Sequence, residues 1–364
     1  MDLTNPNQSS DLPGSQAGKA IMDNLDALAK FSVDLQYALQ DGLWIPYGTA
    51  GYTKSIRDGI YHFSYLAESL AANEPGLFLD YIAWARVLFS GLKLPSGALV
   101  SALDCMNQAV HETLQPETAL LAQSTLNAAL DQLTHDPEAL PSFILPDAPL
   151  GDLAARYLDT SLRGERYSAS QLIMEAATQG ASVRDIYLYI FQPCQQEIGR
   201  LWQMNQINVA QEHFCSSVTQ MVMSQLAPYI FSGKRNGHRL VAASVGGELH
   251  EIGMRMVADF LEMEGWDTHY LGANTPDESI LSVLEERQAE VLAVSVTLPL
   301  HVSKVARLIG SIRLAGNLSK LKVLVGGYPF NISADLWRQV GADGYARSAQ
   351  DAVEAALHLV EGER

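Results

Sequence analysis

The stretch that decides the fold is Val241-Ala-Ala-Ser-Val-Gly-Gly-Glu248-Leu-His250-Glu-Ile-Gly253-Met-Arg-Met256. An apolar run of strand length enters a loop of small residues. The loop presents one histidine flanked by carboxylates, and helical periodicity resumes at once with a glycine in the first turn. A loop of this kind, at the carboxyl end of a buried strand, is where an open doubly wound sheet binds ligands. Three more strand-like runs follow: Gly265–Gly272, Val291–Thr297 and Lys322–Gly327. Each is short, β-branched and without polar alternation, as strands covered on both faces are.

The chemistry of the loop follows from its residue types. The His250 imidazole suits a transition metal, and Glu248, two residues earlier, can accept a hydrogen bond from the ring nitrogen that is not on the metal. One histidine does not hold a free ion, because zinc sites take three or four protein ligands and no second His or Cys stands at ligand spacing here. The metal this loop suits is therefore one that arrives already caged. Ser295 and Thr297 at the end of the third run, and Gly326 and Gly327 at the end of the fourth, offer hydroxyls and close backbone approach beside the histidine.

Glu248-Leu-His250-Glu-Ile-Gly253, Ser295-Val-Thr297 and Gly326-Gly327 together resemble the cobalamin-binding domain, whose signature is Asp-x-His-x-x-Gly, Ser-x-Leu or Ser-x-Thr, and Gly-Gly. The resemblance runs from roughly Arg239 to Val360. It implies that His250 replaces the cofactor's own benzimidazole as lower cobalt ligand and that the displaced nucleotide tail enters a slot between strands. The departure is Glu248 in place of Asp, one methylene longer.

Ahead of the sheet, Leu201-Trp202-Gln203-Met-Asn-Gln-Ile-Asn208-Val209-Ala-Gln-Glu212-His213 reads as a helix end, a cap and the next helix start. Asn208 with Gln211 makes a capping box, which places Glu212 and His213 near the start of that helix. The run Trp202-x9-Glu212-His213 resembles that of the CarH-like cobalamin photoreceptors. In that family a four-helix cap covers the upper face of adenosylcobalamin, and light breaks the cobalt–carbon bond and moves the cap. The resemblance makes Trp202, Val209, Glu212 and His213 cofactor-binding residues. CarH proteins carry a histidine directly after the tryptophan and a basic DNA-binding module; here that position is Gln203, and the N-terminal region is an aromatic helical one. The photocobilins share this core and also bind biliverdin, with which the aromatic N-terminal helices are compatible.

Composition bounds the rest. The 364 residues carry 24 Lys+Arg against 41 Asp+Glu, a net charge of −17, with no basic run, which argues against nucleic-acid binding. Three widely spaced cysteines suit a reducing compartment, and neither a signal peptide nor a membrane-length apolar run is evident, so a cytoplasmic location is expected.

Residues 1–19 are polar and read as disordered. Residues 20–134 show five helical patterns, and Tyr61, Phe63, Tyr65, Phe78, Tyr81 and Trp84 are either core or the lining of a chromophore pocket. Arg57 and Arg86 could reach such a ligand or lie solvated. Residues 135–149 hold four prolines and read as a linker; residues 150–232 form a four-helix cap, with Ser168 and Gln171 as a second capping box; residues 238–364 form the flavodoxin-like domain.

The expected fold is thus multidomain, α followed by α/β. The expected function is a light-responsive adenosylcobalamin sensor without enzyme activity, acting through a homo-oligomer or a protein partner. The alternatives are a corrinoid carrier for a separate methyltransferase and a cobalamin-dependent anti-repressor that binds a transcription factor.

Overall fold

The computed structural model describes residues 13–95, 97–135, 140–231 and 234–362. The chain divides into two compact units. The first comprises Met1–Pro137, Thr297–Ser311 and Tyr328–Gly341; the second comprises Glu138–Val296, Ile312–Gly327 and Ala342–Arg364.

The second unit holds a five-stranded, all-parallel sheet: β1 (Arg239–Ser244), β2 (Asp267–Tyr270), β3 (Val291–Ser295), β4 (Lys322–Gly326) and β5 (Gly344–Ala346), in the order β2-β1-β3-β4-β5. The order reverses between β1 and β3, which opens a crevice at their carboxyl ends. Leu240 to Ser244 in β1 and Val291 to Val294 in β3 are buried, as strands between two helical layers must be. The register places Ser244 beside Ser295, and Ser295 beside Gly326, so the motif residues stand in one row along the carboxyl edge. β5, only three residues long, is too short to show a period and was not expected.

The cap helices of this unit are Gly151–Leu162, Arg166–Thr178, Gln192–Gln203 and Val209–Gln225. The segment leading into the third cap helix is not one continuous α-helix but a short turn, Val183–Ile186, then π-helical Tyr187–Phe191, then Gln192–Gln203. Pro193 is the cause: it lacks an N–H, and its ring crowds the carbonyl four residues back, so the turn widens. Ser168 is not a cap either, since the helix already begins at Arg166.

The cap shares one apolar core with the sheet and with helix Ile252–Met263; Tyr187, Ile190 and Phe191 join Leu240, Phe260 and Trp266. Polar ties reinforce it. Tyr187 donates to Asp259 at 2.7 Å, and Arg184 bonds Glu264 at 2.6 Å while lying over the Phe260 ring.

In the first unit, helices Pro13–Asp23, Leu25–Leu39, Gly48–Ala71, Pro75–Gly91, Ala98–Thr113 and Pro116–Thr134 surround a second core. Phe63, Tyr65, Phe78 and Tyr81 belong to this core, with Tyr65 and Tyr81 stacked at 3.7 Å and Trp84 packed against it, while Tyr61 is half exposed. Arg86 bonds the His135 carbonyl at 2.7 Å. Two later segments belong to the same unit. Leu300 packs on the core, Ser303 donates through its N–H and hydroxyl to Glu68 at 3.2 and 2.7 Å, and Tyr328 donates to Asp80 at 2.9 Å.

The expectation of a disordered start over residues 1–19 is corrected from Pro13 onward; residues 1–12 lie outside the described residues. Helix Pro13–Asp23 looks too polar to fold, but it buries Ala17, Gly18 and Ile21. Its glycines allow backbone contact: a Cβ at Gly18 would stand 2.5 Å from the Ala67 carbonyl oxygen. Gly18→Val should therefore push this helix off its neighbour and destabilise the fold by at least about 2 kcal/mol. A thermal melt checks it, and an unchanged Tm would mean the helix is not packed this way.

Candidate cofactor site

The loop after β1 is stapled to the loop after β2 before any ligand is considered. Gly247, at φ +87°, donates its N–H to Asn274 Oδ1 at 2.6 Å, Asn274 returns its N–H to the Glu248 carbonyl at 2.9 Å, and Thr275 donates to the Ser244 carbonyl at 3.1 Å. Glu248 is fully buried, so its carboxylate must be hydrogen-bonded where it stands. Its Oε1 accepts the His250 N–H at 3.0 Å and the His250 Nδ1–H at 2.6 Å. The second bond assigns the proton to Nδ1 and leaves Nε2 with its lone pair on a half-exposed ring. The extra methylene of Glu248 therefore still reaches the imidazole.

Glu251 continues the staple. It accepts from Tyr270 Oη and Ala273 N–H, each at 3.1 Å, and from cap residue Gln220 at 3.1 Å. Arg255 reaches the Gln220 carbonyl at 3.2 Å and Ser224 Oγ at 2.9 Å. Helix Val209–Gln225 is thereby docked along the start of helix Ile252–Met263, with Glu212 close enough to act on His250. The imidazole is held above its ordinary value first by the hydrogen bond to Glu248; burial opposes this, and the charges of Glu248 and Glu212 add to the rise.

The structure places Glu248, His250, Ser295, Gly326 and Gly327 at the carboxyl ends of the strands, Gly253 in the first turn of the helix that follows, and Trp202, Val209, Glu212 and His213 on the cap helices. Asn208 and Gln211 form the capping box, with bonds of 3.0 Å in both directions. Val209, Leu249 and His213 are exposed, His213 Nδ1 pairs with Glu212 Oε2, and Trp202 is half-buried in the last turn of its helix. Thr297 is the exception, falling in the first unit with residues 297–311. Glu251 and Asn274 were missed. Both look like ordinary loop polar residues in sequence, and only the docking of the β2 loop gives them partners.

Three observations test whether a corrinoid suits these residues. Ser244 Oγ is buried at the crevice with no hydrogen-bond partner, a polar atom the protein itself does not satisfy. A Cβ on Gly253 would meet nothing within 4 Å, so no protein neighbour calls for glycine there. Gly327, by contrast, has φ +104° and would bring a Cβ to 1.9 Å from the Val296 carbonyl oxygen, so the β4 loop closes on β3 only with glycine. Among the described residues no group of three or more His, Cys, Asp or Glu is placed to hold a bare metal ion. A lone imidazole with an oriented free nitrogen, beside open space and an unsatisfied hydroxyl, fits a metal already held in a large organic ring.

Residues 238–357 match the B12 binding domain family, and residues 153–227 match a second family of the same description. The chain carries cobalamin-binding domains. It is 29% identical over 124 residues to a dimethylamine corrinoid protein of Methanosarcina mazei, covering 34% of this chain and 56% of that protein. A corrinoid protein of Desulfitobacterium hafniense is 26% identical over 169 residues, covering 45% and 76%. The chain thus spans little more than half the length of the Methanosarcina relative. The monomethylamine corrinoid protein of Methanosarcina barkeri shares the fold at 20% identity, with a TM-score of 0.53 over 58% of this chain and all of that one. Among the described residues, no helix is long and apolar enough to cross a membrane.

The raised imidazole value gives a test in the cobalamin-free protein. A histidine whose folded-state pKa exceeds its unfolded value contributes stability that is present below the unfolded pKa and lost as pH rises through the folded one. Glu248→Gln weakens the hydrogen bond that chiefly holds the value up and removes the Glu248 charge that adds to it. The His250 titration followed by NMR should then move down toward an ordinary imidazole, and a midpoint that stays in place would show that Glu248 does not control the ring.

Proposed function

We propose that this cobalamin-binding protein is a corrinoid carrier that presents a cobalt-bound one-carbon group to a separate methyltransferase. The observation that carries the reading is the Glu248–His250 pair, with Nε2 free at the switch point of the sheet under a docked helical cap. Relatives named as dimethylamine corrinoid proteins support the methyl-transfer setting. A bound corrinoid would supply a cobalt able to carry an alkyl group. His250 would hold the metal, with Glu248 fixing the tautomer and ring direction. Ser244, Ser295, Gly326 and Gly327 would accommodate the tail, and Gly253 would leave room for close approach. Transfer of the methyl group would be the partner enzyme's reaction.

A second reading, a light-responsive sensor holding adenosylcobalamin, is favoured by one feature the carrier reading does not use. Glu212 and His213 form a polar pair on the cap, on the same helix whose Gln220 docks against Glu251, with Trp202 closing the preceding helix. In this reading the signal would pass to a second copy or a protein partner, with a basic transcription factor as one partner suited to the acidic chain. Biliverdin uptake by the first unit belongs to this reading alone, and would be read as new absorbance on adding the pigment.

The experiments separate the two. Loaded with methylcobalamin, a carrier turns over in the dark with an amine- or methanol-type methyltransferase and its methyl acceptor. Loaded with adenosylcobalamin, a sensor bleaches under green light and changes its elution volume or partner affinity. His250→Ala should shift the visible spectrum of either loaded form and weaken binding by about tenfold or more, in line with the loss of a metal ligand or its support. An unaltered spectrum and affinity would refute the lower-ligand assignment.

A further inference from the structure

One polar chain in the second unit leads to Glu212 through residues that have no part in the assignments above. Helix Val209–Gln225 carries Glu212, Ser216 and Thr219 at i, i+4 and i+7, hence on one face. Ser216 Oγ lies 3.1 Å from Glu212 Oε1 and 3.0 Å from the Gln195 side-chain oxygen; the Gln195 amide nitrogen lies 2.8 Å from Thr219 Oγ1; and Thr219 Oγ1 lies 3.0 Å from Tyr157 Oη. The chain starts in the cap core, where Tyr157 and Thr219 are buried, and ends at Glu212. Two turns beyond Glu212, Gln220 is bonded to Glu251, next in sequence to His250.

Proton counting gives this chain a direction. A hydroxyl has one hydrogen to donate, so Ser216 cannot serve both the Gln195 oxygen and the Glu212 carboxylate. Exchanging the oxygen and nitrogen of the Gln195 amide, which have nearly the same shape, resolves the conflict. Tyr157 then donates to Thr219, Thr219 to the Gln195 oxygen, the Gln195 nitrogen to Ser216, and Ser216 to Glu212. Each hydroxyl then has an acceptor, and each hydroxyl proton in the chain points toward the carboxylate. Burial pushes the Tyr157 hydroxyl up, which keeps it in the donor form at the head of the chain.

We propose that Gln195 and Ser216, anchored on Tyr157 and Thr219, are positioning residues that fix Glu212 as a hydrogen-bond acceptor on the His250 side of the cap, so that the site distinguishes upper groups bearing hydroxyls from those without. A carboxylate free to rotate offers its lone pairs in many directions; one oxygen tied to Ser216 and the other to His213 offers them in few. The inference rests on the cobalamin reading of the site. It bears on the choice between an alkyl and a nucleoside-like upper group.

The test uses the full chain in the dark with two probes, adenosylcobalamin, whose upper group carries a ribose diol, and methylcobalamin, whose upper group carries none. The readout is the ratio of the two dissociation constants. Gln195→Glu keeps the shape but removes the donor to Ser216, and Ser216→Ala removes the donor to Glu212; each should cut the wild-type preference for adenosylcobalamin by about tenfold, the scale of one hydrogen bond to a charged group. Ser216→Thr, which keeps the hydroxyl, should restore it, and Glu212→Gln should lose it. A loss of fold would lower both affinities and the Tm together and leave the ratio unchanged. The positioning role is overturned if the wild type shows no preference, or if, at an unchanged Tm, the ratio survives Gln195→Glu and Ser216→Ala or both affinities fall in step. Failure of the wild type to bind either cobalamin would instead remove the cofactor reading, and the inference with it.

Discussion

The organisation of the second unit depends on one hydrogen-bonded pair, the buried carboxylate of Glu248 and the half-exposed imidazole of His250. A carboxylate with no solvent contact is stable only when its lone pairs are used, and removing one partner of such a pair is costly because the other stays buried. Glu248 uses one oxygen on both the backbone and the ring of His250, and its own N–H and carbonyl are bonded to Val245 and Asn274. The loop is therefore held in shape by the protein itself. The ring nitrogen that could meet a metal is aimed by a chain of bonds beginning in β1.

The sheet supplies the rigidity behind that pair. β1 and β3 are buried along nearly their whole length, so a slip in register would move their apolar side chains off the helices that cover them. With register fixed, Ser244, Ser295 and Gly326 have only one way to stand side by side. The cap adds a second constraint through Arg184, Tyr187 and Arg255, which tie it to helix Ile252–Met263 on both sides of an apolar contact. Burial raises the carboxyl of Asp259, the acceptor for Tyr187, as expected of a charge kept in place by few partners.

Much of this was legible because the signals were local. The His250 loop, the three longer core strands and the Asn208 capping box are each written within a few residues, and Glu248 meets His250 as their spacing suggests. What could not be read depends on contacts distant in sequence. Helix Pro13–Asp23 looks disordered until its glycines are seen against Ala67 and Leu70. The π-helical turn at Tyr187–Phe191 was not anticipated, and Pro193 alone does not separate a widened turn from a broken helix. Glu251 and Asn274 have no motif, and Ser216 and Gln195 meet only because two helices pack side by side. The functional assignment was likewise divided. The corrinoid site followed from residues around His250, whereas the choice between sensor and carrier turned on Trp202, Glu212 and His213, a pattern whose meaning depends on what is bound above them.

The first unit is discontinuous in sequence, and this has an evolutionary side. Leu300 and Ser303 find their partners among helices more than 200 positions earlier. Where both are present, such a segment and the helices it meets are under one shared constraint. Discarding the leading helices would bare an apolar side chain and orphan a serine in the segment that follows β3. The two lengths of chain are thus bound to change together, and a partner or pigment adopted by one would constrain the substitutions open to the other.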